Sequence, residues 1–197
     1  MSESELVARA QAGDANAFTQ LVELYQTPIY NLSYRMLGEA REAEDAAQET
    51  FLRAYAQLYR YQLARSFKTW LFSIASHHCI DRLRKRRLTW LSLDEPLEPH
   101  PALNEPTPGP EDSALRREQT QRMQMMLQQL SPEDRNVVIL RYWHDLSYEE
   151  IAAATTGSVS AVKSRLHRAR VSLAALLKND SRGVAVPAPQ PELALEG

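Results

Sequence analysis

The sequence predicts an all-α protein built of two helical domains, and two observations support this. Apolar side chains recur three and four positions apart through most of the chain, and no useful length of strand-like alternation occurs. Residues 91–113 hold six of the 11 prolines and six acids but no base, which is typical of an extended linker. We therefore expect helical domains at residues 1–90 and 114–178, a flexible linker at 91–113 and a disordered tail at 179–197.

Composition excludes several classes of protein. Hydrophobic residues make up 44% of the 197, an ordinary share for a globular chain. Cys79 is the single cysteine, so we expect no disulfide framework, no multi-cysteine zinc site and a reducing, cytoplasmic setting. We find no signal peptide and no apolar run of about 18 residues, and we expect no membrane insertion. Neither a Gly-rich phosphate loop nor converging metal ligands occur, so we expect no metal or other cofactor.

Capping and breaking residues divide the first block into helices. Gly13 and Gly38 are helix ends, and Asp14 and Ser66 are N-caps. Pro28 is expected to open a helix, since proline is favoured at the first helical position. The predicted helices cover residues 4–12, a segment capped by Asp14, 28–38, 39–58 with an acidic first half, and 66–87 after a loop at 59–65.

The second block ends in a pattern typical of a helix-turn-helix. A helix over 114–130 is followed by one capped by Ser131, with proline at its first position. Ser147 and Glu150 form an S-x-x-E capping box, and a turn lies at 155–157. The last helix has an apolar face and an opposite face without acids, which suits a major groove. That second face carries Ser160, Lys163, Ser164, His167 and Arg168, flanked by Arg165 and Arg170.

The end of the first block is a second candidate for nucleic-acid binding. Five bases occupy six positions between residues 82 and 87, close in sequence to Trp70 and to Tyr59 and Tyr61. Cations that follow phosphates beside aromatics that stack on bases are typical of single-strand binding. Two ordinary interpretations compete with this one. Trp70, three residues after Phe67, has core spacing, and a basic helix end is favoured by the helix dipole alone.

Three motifs in this order resemble the extracytoplasmic-function (ECF) sigma factors, the small two-domain class of bacterial RNA polymerase specificity subunits. They are AEDAAQETFLRAY at 43–55, FKTWLFSIA with CIDRLRKRR, and LSPEDRNVVILRYWHDLSYEEIA followed by VKSRLHRAR. The resemblance covers roughly residues 5–90 and 114–178. It implies a sigma2-like helical bundle for core polymerase binding and −10 melting, and a sigma4-like helix-turn-helix domain for −35 recognition.

The resemblance also implies roles for individual residues and partners. Core RNA polymerase would be bound through its β′ clamp helices and β flap, and the acidic linker would thread toward the RNA exit path. An anti-sigma factor is a possible further partner. Polymerase-contacting residues would be Asp45, Gln48 and Glu49. Residues at the −10 element would be Tyr59, Arg60, Tyr61, Arg65, Lys68, Trp70, His77, Arg82, Arg84 and Lys85, and those at the −35 element Arg141, Ser158, Ser160, Lys163, Ser164, Arg165, His167 and Arg168.

Three positions depart from the family pattern. Ser76 and His77 replace a frequent Arg-Asn pair, which predicts an altered −10 base preference. In the turn, Thr155 and Thr156 stand where Leu-Gly is usual, and Gly157 follows one place later. Ser160 and Ala161 replace a frequent Gly-Thr. We therefore expect a re-aimed turn and an unusual −35 preference.

Two other functions compete with promoter recognition. A helix-turn-helix regulator could bind DNA without core polymerase, but it would not need the basic, aromatic helix of the first block. A DNA-acting enzyme such as a recombinase would need clustered carboxylates or an activated nucleophile. The acids at 39–49 have no accompanying histidine, and consecutive side chains at 77–79 spread around a helix, so we expect no enzyme. Capture of core polymerase separates a sigma factor from the other classes.

Overall fold

The computed structural model describes residues 2–62, 66–92 and 110–183, and within these ranges the protein is helical without a strand. This confirms the predicted all-α class. A 3₁₀ turn at Leu58–Arg60 follows the third helix. The α-helices are α1 Glu3–Gln11, α2 Ala15–Leu37, α3 Ala40–Gln57, α4 Phe67–Ser92, α5 Pro110–Gln128, α6 Pro132–Tyr142, α7 Tyr148–Ala154 and α8 Val159–Gly183.

Side-chain caps begin several of these helices where the sequence indicates. Asp14 accepts hydrogen bonds from the backbone N–H groups of Asn16 and Ala17 at the start of α2. Ser147 and Glu150 form the expected capping box of α7, in which each side chain accepts from the other's backbone N–H. These bonds satisfy donors that have no partner inside the helix, and a cap of this kind contributes roughly 1 kcal/mol.

Pro28 does not open a helix, contrary to the prediction. It lies inside α2, which continues unbroken from Ala15 to Leu37. A proline has no N–H for the carbonyl four residues earlier, which here belongs to Leu24. Leu24 is 57% exposed and Pro28 is partly buried, and α2 continues past the missing bond. The helix therefore tolerates the loss of one backbone hydrogen bond at Pro28.

The boundaries of the expected linker and tail also change. Helix α4 extends to Ser92 rather than Arg87, and α5 already begins at Pro110, four residues inside the expected linker. Proline at the first helical position followed by two acids favours a helix start. We assigned these residues to the linker because they continue its acidic, proline-rich composition. Helix α8 continues to Gly183, into the expected tail. The rest of the expected linker, 93–109, and of the tail, 184–197, lies outside the described residues.

The two regions of the chain pack against each other around a continuous core. Helices α1 to α4 form one bundle, whose centre includes Leu21, Ile29, Leu32 and Phe72. Helix α7 lies against α4, and α5 and α6 lie against α2. The sequence left the relative placement of the two regions open, and the structure gives one compact arrangement.

The contact between α2 and the second region is made at the carboxyl end of α2. Arg135 of α6 is 4% exposed and donates a hydrogen bond to the carbonyl of Met36. Gln124 of α5 donates through Nε2 to the carbonyls of Tyr34 and Arg35, at 3.1 and 3.2 Å. The last carbonyls of a helix lack partners within it and carry partial negative charge. The second region therefore caps a helix of the first.

A second contact joins α4 to α6 and to the segment before α7. The Ser76 hydroxyl donates to Oδ1 of Asn136 at 2.9 Å, in a buried position. Lys68 Nζ donates to the carbonyl of His144 at 2.7 Å, and the His144 ring meets Phe72 edge-on with centroids 4.6 Å apart. Burial lowers the pKa of His144 to about 4, so its ring is neutral at physiological pH.

The turn between α7 and α8 takes its left-handed residue at Thr156, not at Gly157. Thr156 has φ +51°, and Gly157 has no positive φ. A Cβ added at Gly157 would meet only Thr155 Oγ1 at 3.5 Å, an ordinary contact. The left-handed residue therefore lies at Thr156, where the family pattern usually has glycine. Threonine holds the left-handed conformation, which is costly for a β-branched residue.

Replacing Thr156 should stabilise the protein. We expect Thr156→Asn to raise the free energy of unfolding by about 0.5–1 kcal/mol, because asparagine tolerates the left-handed region better than a β-branched residue. Gly157→Ala should be neutral or stabilising, since alanine reduces the freedom of the unfolded chain without strain in the folded one. Chemical denaturation of the purified full chain measures both changes.

The two variants control for each other. A turn that needed glycine at 157 would make Gly157→Ala destabilising by 1 kcal/mol or more and leave Thr156→Asn without benefit. That pair of results would contradict the assignment of the strained residue.

Candidate nucleic-acid interface

The outer face of α8 has the predicted distribution of apolar and cationic side chains. Val162, Leu166 and Ala169 are buried against the rest of the second region. The opposite face is exposed at Ser160, Lys163, Ser164, His167 and Arg168. Ser158 has a structural role as well, because its hydroxyl accepts from the Ala161 N–H at 3.1 Å and so caps α8. The helix thus presents an amphipathic, acid-free face to solvent.

The long cations of this face are held by neighbouring helices. Arg165 and Arg168 both reach Asp134 of α6, with N–O distances of 3.3 and 3.1 Å. The Lys163 ammonium lies 5.9 Å from the centre of the Tyr148 ring, and the Arg141 guanidinium lies 5.2 Å from it. Arg141 also donates to the carbonyl of Leu146. Arg141 therefore supports the helix-turn-helix more than it extends the exposed face.

The basic end of α4 is partly neutralised by acids of other helices. Arg82 and Arg86 lie 3.6 and 3.4 Å from the Glu42 carboxylate of α3. Arg84 bridges the two regions, because its Nη2 lies 2.8 Å from Oε1 of Glu133 in α6. Each of these cations shares its guanidinium with an acid, which reduces the charge that it offers to a phosphate. Lys85 and Arg87 are exposed.

The aromatic residues next to this basic end divide into exposed and buried members. Tyr59 is 69% exposed, and the guanidinium of Arg60 stacks over its ring at 5.1 Å. Tyr61 is only 8% exposed, and its ring centre lies 5.0 Å from that of half-buried Trp70. We expected Tyr61 at the DNA surface, but in this conformation it is a core residue, because its ring fills the space beside Phe67 and Trp70.

Three further positions of the expected −10 surface have different surroundings. Lys68 is engaged at the contact between the two regions, as described above. His77 is exposed, and its Nδ1 lies 2.7 Å from the Ser73 carbonyl. Ser76, which belongs to one of the three departures from the family pattern, is buried against Asn136 and faces no solvent. Arg65 lies outside the described residues.

One face of α3 combines the expected polymerase-contacting residues with apolar side chains that the sequence analysis missed. Asp45 and Gln48 are exposed, and Glu49 pairs with Arg53 at 2.6 Å, which lowers the pKa of its carboxyl. Leu52 and Tyr55 follow at helical spacing and are 67% and 55% exposed. Large apolar side chains exposed next to one another are typical of a protein-binding surface. Leu52 follows Gln48 by four residues and Tyr55 follows Leu52 by three, and this helical spacing could have placed them on the same face.

Two residues that hold the cations of the exposed α8 face, Asp134 and Tyr148, were not predicted from the sequence. By position, Asp134 is one acid in the first turn of α6, and Tyr148 is the residue after a cap. Asp134 contacts arginines of α8, and the Tyr148 ring contacts Lys163 of α8 and Arg141 of α6. These contacts join different helices, so spacing along the chain gave no signal for them.

The described residues were also searched for a metal site. Within residues 2–62, 66–92 and 110–183 there is no group of three or more metal-ligating side chains.

The single cysteine is buried and shielded. Cys79 Sγ lies 3.8 Å from the Ser33 hydroxyl, and burial raises the pKa of its thiol to about 12. A thiol with such a pKa is an unreactive packing group at neutral pH. None of the described helices is both long and apolar enough to cross a bilayer.

Comparison with known proteins gives matches to both halves of the chain. The family description Sigma-70 region 2 matches residues 21–89, and Sigma-70, region 4 matches residues 120–173. The first region carries the α3 face and the basic end of α4, and the second carries the helix-turn-helix. The two descriptions occur in the order that the sequence motifs predicted.

Individual relatives and solved structures agree with these matches. The chain is 35% identical to the ECF RNA polymerase sigma factor SigW of Bacillus subtilis, over 88% of this chain and 95% of the relative. It is 35% identical to the RNA polymerase sigma-H factor of Pseudomonas aeruginosa, over 87% and 91% respectively.

Two solved structures share the fold at 28% sequence identity. CnrH in complex with the cytosolic domain of CnrY has a TM-score of 0.69, with coverage of 90% of this chain and 98% of that one. The sigma factor RpoE with the anti-sigma factor NepR from Bartonella quintana has a TM-score of 0.68, with coverage of 83% and 98%. Because both family regions match in order and a relative is matched over nearly its whole length, the chain belongs to the ECF sigma factors of RNA polymerase.

Proposed function

We propose that this sigma factor reads the −35 element with the exposed face of α8 and engages the −10 region with α4 and the 3₁₀ turn before it. Members of the family direct promoter-specific initiation, and the alternative of a regulator that acts without polymerase is not favoured. The observation that carries the assignment is the exposed face of α8, the second helix of a helix-turn-helix, which has no acid of its own and has Lys163 and Arg168 at its centre. The chain acts by binding, without catalysis, in the cytoplasm where polymerase is found.

For the −10 region we propose a smaller set of contacts than the sequence suggested. Tyr59 with Arg60 offers an exposed ring and a cation, the combination that stacks on unpaired bases. His77 is exposed on the same helix as Arg82, Arg84 and Lys85. Tyr61 supports this surface from within the core. Ser76 would affect base preference only through the contact between the two regions.

For core polymerase we propose the α3 face that contains Asp45, Gln48, Leu52 and Tyr55. Its apolar members supply area that a partner helix can cover, and its polar members fix the register. Glu49 contributes less directly, since Arg53 already occupies its carboxylate.

We also propose that the compact arrangement opens when the protein binds a promoter. The centres of the two elements are about 25 base pairs apart, which is roughly 85 Å at 3.4 Å per pair. A compact body of about 160 residues has a radius of gyration near 15 Å and measures on the order of 40–50 Å across. Both elements cannot be reached while α4 and α2 remain packed on α6 and α7.

An anti-sigma partner is proposed on the strength of the similar structures. CnrH is bound there to the cytosolic domain of CnrY, and RpoE to the anti-sigma factor NepR. A protein that binds both regions of this chain at once would favour the compact arrangement by mass action.

Run-off transcription tests the proposed function directly. Purified protein added to core RNA polymerase should produce transcripts from a subset of genomic fragments, and it should co-elute with the core enzyme. Absence of protein-dependent initiation on every fragment would overturn the assignment, and DNA binding without co-elution would favour the regulator.

Alanine substitutions test the −35 surface. Lys163→Ala and Arg168→Ala should each weaken binding to a −35 duplex, by about 1–3 kcal/mol where the contact is to a base. Ser172→Ala, further along the exposed part of α8, is the matched control and should leave affinity unchanged. Fluorescence anisotropy measures the dissociation constants. An unchanged affinity for either variant removes that residue from the reading surface.

A cross-link between α4 and α6 tests the proposed opening. Ser76 and Asn136 touch through their side chains, so the pair S76C and N136C should form a disulfide under mild oxidation. The oxidised double variant should lose at least tenfold in run-off transcription, and reductant should restore activity.

The single variants S76C and N136C, treated with the same oxidant, separate the cross-link from the substitutions and from general oxidation. Full transcription by a quantitatively cross-linked sample would show that the two regions need not separate.

A further inference from the structure

Asp134 accepts hydrogen bonds from two arginines of the −35 surface at once. Its Oδ1 lies 3.1 Å from Nη2 of Arg168 and 3.3 Å from Nη1 of Arg165, and its Oδ2 lies 3.5 Å from Nε of Arg168. The Asp134 side chain is only 14% exposed, whereas those of Arg165 and Arg168 are 37% and 59% exposed. The carboxylate thus lies beneath the cations, on the protein side of the surface.

The position of this carboxylate is fixed by the start of α6. Ser131 caps the helix and accepts from the Asp134 N–H at 3.2 Å, and Pro132 occupies the first helical position. Val137 and Val138, one turn further on, are buried in the core, and α6 packs along α8. The neighbouring acid, Glu133, points to α4 and binds Arg84 instead. The two adjacent acids therefore have different partners.

Stability alone does not account for the Asp134 contacts. Ion pairs between partly exposed side chains contribute a median of about 0–1 kcal/mol. Geometry matters more for an arginine that must contact DNA. A guanidinium carries five donors in one plane, and fixing a free arginine side chain costs about 2 kcal/mol of rotamer entropy. Holding the Nε–Nη2 edge of Arg168 fixes that plane in advance and leaves the Nη1 donors directed away from Asp134.

We propose that Asp134 is a positioning residue that orients Arg165 and Arg168 for sequence discrimination at the −35 element. An acid next to DNA also repels phosphates, so it lowers affinity for every sequence. Asp134 would therefore reduce non-specific binding and increase the preference for the correct sequence. This inference rests on the proposed function, in which α8 reads the −35 element.

The test compares affinity for two duplexes. The full-length wild-type chain first selects a preferred duplex from a pool with a randomised window, and a scrambled duplex of the same composition serves as the reference. Anisotropy then gives the dissociation constant of each variant for both. The variants are Asp134→Ala, Asp134→Glu and Glu149→Ala, the last being an exposed acid of α7 in the same region. Thermal unfolding checks that each variant is folded.

Asp134→Ala should bind the scrambled duplex two- to threefold more tightly and lose about tenfold in the ratio between preferred and scrambled duplexes. Asp134→Glu, which keeps the carboxylate, should recover most of that ratio. Glu149→Ala removes one negative charge without touching either arginine, so its ratio should match that of the wild type. A ratio for Asp134→Ala within twofold of wild type overturns the positioning role.

A failure of −35 recognition by α8 would give a different result from a failure of the positioning role of Asp134. A wild-type chain that selects no sequence, or a ratio that survives both Lys163→Ala and Arg168→Ala, contradicts −35 reading by α8 itself. Loss of the ratio in Arg168→Ala together with its retention in Asp134→Ala contradicts the positioning role alone.

Discussion

The arrangement of this protein depends on the capping of α2 by the second region. Arg135 is almost fully buried, and its guanidinium donates to carbonyls of Met36, Gln128 and Leu130 as well as to the Gln128 side chain. Burial lowers its pKa to about 10, so the group is still a cation at neutral pH. A buried cation needs several acceptors, because an unpaired one would cost several kcal/mol. The acceptors come from both regions.

Gly38 permits the close approach that this capping requires. It ends α2 in the left-handed conformation with φ +87°, which glycine adopts without strain. A Cβ at this position would also lie 2.7 Å from Nε2 of Gln128, so any other residue would require the Gln128 side chain to move. Gly38 therefore serves both the end of α2 and the contact between the regions.

The amino end of α6 pairs with cations of both surfaces that we propose contact DNA. Glu133 and Asp134 are adjacent at its amino end, where acids also favour the helix dipole. Glu133 binds Arg84 of α4, while Asp134 binds Arg165 and Arg168 of α8. Separation of the regions breaks the first contact and leaves the second intact. The proposed opening would thus release a cation of the −10 surface and keep the −35 surface ordered.

The sequence predicted those features that local chemistry determines. The caps at Asp14 and Ser147, the helical class and the acid-free face of α8 all follow from residues close together in the chain. The family resemblance was confirmed because it rests on three such local motifs. Burial of Tyr61 and the two contacts of Asp134 were not predicted, since they depend on which helices meet. Pro28 was placed wrongly, because α2 continues through it and proline at a helix start is only a local preference.

Polar groups left unpaired in the contact between the regions bear on how readily it opens. Four buried side-chain atoms there have no hydrogen-bond partner among the described residues: Nε2 of Gln128, Nε of Arg135, Nδ2 of Asn136 and Nε2 of His144. Each unsatisfied buried group costs about 1–3 kcal/mol unless water reaches it. This cost offsets part of the gain from burying Phe72 and its neighbours. Opening exposes the same four atoms to water and recovers their hydration. The contact between the regions is therefore weaker than its apolar part alone would make it, which agrees with the proposal that the regions separate on a promoter.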